Sequence, residues 1–117
     1  MASLFEDLRG DLASLEEGAI KTSLRANLMI LEDATSWLQD DAIDADTRMA
    51  GATPYLRMFA TTLGGFFLAR ALAKADADTR AEREASALFY IQHILPTASA
   101  LAAAVKAGLA PDVSKTG

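Results

Sequence analysis

The sequence predicts an all-α fold: an elongated four-helix up-and-down bundle with two long, proline-kinked helices. Three observations point there. Of 117 residues, 25 are alanine, the best helix former and the smallest apolar side chain. Apolar residues recur at spacings of three and four along four segments, the period of a helix with one buried face. With three prolines, seven glycines and few runs of β-branched residues, little remains from which to build strands. Helix should therefore hold more than about 65% of the chain, against about one third in an average globular protein.

The first helix is expected from Ser3 to Glu17, where Leu4, Leu8, Leu12 and Leu15 form one stripe and Gly18 supplies a stop. The second spans Ile20 to Asp40, with Leu24, Leu28, Leu31, Ala34 and Leu38 inward, Trp37 beside them, and Lys21 and Arg25 on the other side. The acidic stretch Asp40–Asp46 then favours a helix start through capping and the macrodipole. The third helix, Asp44 to Ala75, carries a broad apolar face of Ala52, Tyr55, Leu56, Phe59, Leu63, Phe66, Phe67 and Ala71. At 1.5 Å per residue it reaches roughly 45 Å, too long for a ball of this mass. Pro54 should kink or restart it, by a clash at the Ala50 carbonyl. Gly64-Gly65 in mid-helix costs about 1 kcal/mol per glycine relative to alanine, which implies the close approach of another backbone. A polar turn at Asp76–Thr79 leads to the fourth helix, Thr79 to Gly108, with Leu88, Phe89, Ile91, Ile94, Leu95, Ala98, Leu101 and Val105 inward and a bend at Pro96. Residues 1–110 read as one domain, and the tail 111–117 as disordered.

Composition narrows the function classes. A chain of 12.4 kDa can bury about two thirds of its unfolded surface, enough for one core without staples. The absence of cysteine excludes disulfides and thiolate metal sites and agrees with a cytoplasmic protein. The net charge of −5 argues against a nucleic-acid partner. Residues 1–48 hold eleven acids against four bases, so the amino-terminal half presents the acidic face. The start Met1–Asp7 lacks the basic region and apolar core of a signal peptide. Ala85–Val105 contains no Asp, Glu, Lys or Arg, the length of a bilayer span, yet Gln92, His93 and Pro96 in its middle favour a buried bundle helix over a membrane span.

No chemistry assembles from these residues. His93, the only histidine, excludes a paired-histidine metal motif and reads as a partly buried structural residue. Arg57 and Arg70 could each hold a phosphate or carboxylate. Thirteen residues separate them, about 220° around the helix, so separate ion pairs are expected rather than one clamp. The acid pairs Glu16-Glu17, Glu32-Asp33 and Asp40-Asp41 point apart on a helix and read as solvated faces. Gly64-Gly65 lacks the preceding strand and the spacing of a dinucleotide fingerprint. The chain alone therefore offers no catalytic, cofactor or metal set.

Three segments carry a resemblance: Leu31–Leu38, Thr53–Arg70 and Phe89–Ala98. The second, with Ala52 immediately before it, gives Ala52-x-x-Tyr55-Leu56-Arg57-x-Phe59 and the small Gly64-Gly65 centre, and the third His93-x-Leu95-Pro96-x-Ala98. In this order they resemble the helical domain at the carboxyl end of bacterial acyl-CoA dehydrogenases, including those of the methylmercaptopropionyl-CoA type, from about Leu4 to Gly108. Ala60 stands where that pattern has glycine. The resemblance implies an accessory domain that packs against a dehydrogenase body or subunit, takes part in its oligomer and shapes its acyl site. FAD and the catalytic base are implied only for that body. Tyr55, Arg57, Phe59, Gly64, Gly65, Phe67, Arg70, His93 and Pro96 are the interface and packing candidates. Two other readings are a homodimeric interaction module joined through Gly64-Gly65, and a carrier of an apolar ligand between Phe59, Leu63, Phe66, Phe67 and Phe89.

Overall fold

The computed structural model describes residues 2–106. These form five helices: α1 (Ala2–Ser14), α2 (Ala19–Leu38), α3 (Ala45–Ala73), α4 (Arg80–His93) and α5 (Pro96–Lys106). Helix makes up 83% of the described residues and there is no strand among them, so the all-α class is as predicted. The molecule measures 56 × 31 × 18 Å, and its longest helix is α3, with 29 residues. Every other helix packs against α3.

The expected leucine stripes supply the core. Leu8 and Leu12 of α1 are buried together with Phe5, as are Leu24, Leu28, Leu31 and Ala34 of α2. The first helix ends at Ser14, three residues early, and Gly18 is not its stop but the residue that opens α2. Its φ of 156° with ψ of −170° is a conformation that glycine adopts at least cost. Asp44 caps α3 as anticipated, its carboxylate accepting the Thr47 N–H at 2.7 Å. That bond holds the Asp44 carboxyl below its ordinary pKa.

Of the kink or restart expected at Pro54, the restart does not occur: α3 is one helix through it. Two features differ from the sequence reading. The fourth helix is two: the N–H groups of Ile94 and Leu95 both donate to the Tyr90 carbonyl, at 2.9 and 2.8 Å, and Pro96 begins a new helix. Proline at a first helical position loses nothing, because that N–H has no partner within the helix. Finally, the inward face of α3 is rotated from the expected one. Gly51, Met58, Thr62, Gly65, Phe66, Ala69 and Leu72 are buried, while Leu56 and Phe67 are 65% and 64% exposed. The expected stop at Gly108 and the tail lie outside the described residues.

Candidate functional site

The side of α3 turned away from the core meets α4 and α5 along two shallow hollows. One, about 520 Å³, is lined by Arg57, Ala60 and Thr61 of α3 and by Thr97, Ala100 and Leu101 of α5. The other, about 550 Å³, is lined by Leu63, Gly64, Phe67 and Leu68 of α3 and Tyr90 of α4. They meet where the Tyr90 hydroxyl donates to the Thr61 carbonyl at 2.7 Å. Burial pushes the Tyr90 phenol above its ordinary pKa, so it remains a donor at neutral pH.

Tyr90 also explains the glycine pair. A Cβ added at Gly64 would lie 2.3 Å from the Tyr90 hydroxyl and 2.9 Å from its ring; one added at Gly65 would lie 2.8 Å from Leu24 Cδ2. The pair therefore admits side chains of this same chain, not the helix backbone expected from the sequence. Backbone approach occurs instead at Gly51, where an added Cβ would stand 2.5 Å from the Val105 carbonyl oxygen of α5.

The remaining candidates separate. Tyr55 is half-buried, its hydroxyl 2.6 Å from that of Thr35 and its ring tilted against Phe59 at 6.0 Å. Arg70 pairs with Asp11 of α1, its Nε donating at 3.0 Å, an arrangement that raises its pKa. Both partners are partly exposed, so the pair contributes less than about 1 kcal/mol. Arg57 makes no ion pair or hydrogen bond among the described residues. His93 is exposed rather than partly buried, its ring 4.7 Å from that of Phe89. Pro96 is exposed at the start of α5. Phe66 is buried, Phe59 and Leu63 are half-buried, and Phe67 and Phe89 face outward, so the five apolar residues proposed to hold a ligand do not converge on one cavity.

A third hollow, about 400 Å³, lies at the α1–α2 turn beneath Leu15, Ile20, Leu72 and Leu88, with Glu16, Glu17, Arg80 and Glu84 at its rim. Three carboxylates against one guanidinium do not fit the pyrophosphate of a flavin dinucleotide, which calls for cations or converging N–H groups. Among the described residues, no three His, Cys, Asp or Glu side chains come together to hold a metal ion. The acid pairs lie at the surface, Glu32 with Arg9, Asp33 with Lys106, and Glu17 with Lys21 at 3.1 Å.

The described residues thus form an all-α module that leaves Leu56 and Phe67 exposed along its longest helix. Over residues 4–111 the chain matches the family described as "Acetyl-CoA dehydrogenase C-terminal like", and it belongs to that family. No curated protein and no solved structure matches it. Sequence reasoning named Arg57, Gly64, Gly65 and Phe67 but gave no part to Tyr90 or Thr61. Tyr90 lies three residues before His93, inside a segment already singled out, and an aromatic able to cover a glycine pair was the available signal.

Proposed function

We propose that the chain is an accessory helical domain that packs against the flavin-dependent body of an acyl-CoA dehydrogenase in the cytoplasm, within one polypeptide or as a separate subunit. On this reading it supplies surface rather than chemistry. Oxidation of the acyl-CoA and the FAD that accepts the electrons belong to the body, while this domain steadies subunit packing in the oligomer and buttresses the acyl site. The family match over residues 4–111 carries the reading. The outward Leu56, Phe67 and Phe89 support it, since large apolar side chains left in solvent are what an association surface would cover.

The test is co-expression with the dehydrogenase body encoded in the same or the adjoining reading frame. The expected result is a stoichiometric, flavin-coloured complex whose KM for acyl-CoA or subunit order changes when this chain is omitted. A body that assembles and turns over identically without it, or a purified chain that itself retains one flavin, overturns the proposal.

A further inference from the structure

We propose that the outer face of α3, α4 and α5 receives an amphipathic helix from another polypeptide, its apolar side on Leu63, Phe67 and Leu101 and one of its carboxylates on Arg57. The proposal rests on the accessory-domain reading for the partner's identity and adds the chemistry of the contact.

Shape is the first argument. The two hollows run from Arg57 to Leu68, twelve residues of α3, a rise of about 16 Å or three helical turns. Their walls are open: Phe67 is 64% exposed, so the trough does not enclose a small molecule to the roughly 70–90% usual for such ligands. A helix laid along a trough needs no such enclosure, and small residues at its floor, here Ala60 and Ala100, let the incoming ridge sit close.

Charge is the second. On a chain of net charge −5, no Asp or Glu occurs from Thr47 to Ala75 or from Ala85 to Lys106. These residues supply the whole lining of both hollows. Every other arginine among the described residues has a partner: Arg9 with Glu32, Arg25 with Glu17, Arg70 with Asp11, Arg80 with Glu16, Arg48 with three carbonyls and Arg83 with the Ala71 carbonyl. Arg57 alone is left over, at one end of an apolar trough. A planar fork of donors with no acceptor is matched by a carboxylate. A second copy meeting it through this same face does not provide one. A two-fold contact of this face with itself would set Arg57 against a carboxylate-free surface and bury two unpaired cations.

The experiment titrates the isotope-labelled chain with two synthetic helical peptides, each with a Leu/Ala face and differing only in a single Glu or Lys. The Glu peptide should shift the amide signals of Ala60, Thr61, Phe67, Thr97 and Ala100 and bind about tenfold more tightly than the Lys peptide. Arg57→Glu should reverse the preference, and Lys74→Glu, at an exposed cation outside the trough, should leave it unchanged. Equal binding of the two peptides overturns the proposal, as do signals confined to other surfaces. It is equally overturned if the same signals move on concentration-dependent dimerisation, or on addition of phosphatidylglycerol vesicles. Retained peptide preference without dehydrogenase co-purification overturns only the accessory-domain reading; the converse overturns only this inference.

Discussion

Gly51 and the Gly64-Gly65 pair lie on the same helix, and both permit something to come near, but not the same thing. At Gly51 the neighbour is the Val105 carbonyl of α5, fixed in its own helix; at Gly64 it is the end of the Tyr90 side chain, and at Gly65 a methyl of Leu24. A backbone cannot yield without moving an element, whereas a side chain can turn away. Glycine in mid-helix thus signals crowding without saying what crowds it, and the energetic consequence depends on which it is.

Gly51→Ala is the most damaging single methyl. The Cβ has nowhere to go unless α5 lifts from α3, so a loss of about 1–3 kcal/mol is expected, read as a lower denaturation midpoint, in spite of alanine's better helix propensity. Between the two glycine sites lies Thr62, fully buried, its hydroxyl without a hydrogen-bond partner among the described residues. Thr62→Val keeps the shape and removes the orphaned group, and should raise stability by about 1–2 kcal/mol in the same measurement. Unchanged stability would mean that the hydroxyl finds a partner in solution.

Gly64→Ala should cost about 1 kcal/mol, as Tyr90 swings off and forfeits its bond to Thr61. In a Tyr90→Ala background the same change should become stabilising by a few tenths to about 1 kcal/mol, since only helix propensity remains. A cycle without this change of sign would show that Tyr90 is not what the glycine accommodates. The smallest effect is one of pH. The folded-state pKa of Tyr90 lies above the ordinary value of 10.0 because burial disfavours the phenolate. Its contribution is complete below pH 10 and falls away as pH rises through the folded value. Alkaline titration should therefore loosen α4 from α3, and Tyr90→Phe should reduce that sensitivity.

The core of α1 and α2 was legible in the sequence, because Leu8, Leu12, Leu24, Leu28 and Leu31 repeat at helical spacing with polar residues between them. The face of α3 was not. Its small and large apolar residues surround the helix almost completely, so periodicity cannot distinguish Phe66, which is buried, from Phe67, which is not. What decides is the placement of α4 and α5: Pro96 marks the break between them locally, but which residues Tyr90 and Gly51 meet across the fold cannot be read from the sequence around them. The exposure of His93 has a local origin: two residues past buried Ile91 it lies about 200° around α4, on the outward side beside Phe89.

Tyr90 acts at two ends at once. Its hydroxyl fastens α4 to α3 at Thr61, while its carbonyl gathers the N–H groups of Ile94 and Leu95 and so sets the direction in which α5 leaves. One residue is thus both the rivet of one joint and the pin of the next. The width of the trough between α3 and α5 is then not independent of the fastening of α4, and a force that strains the Thr61 bond is felt ten residues further on, where Ala100 forms the floor.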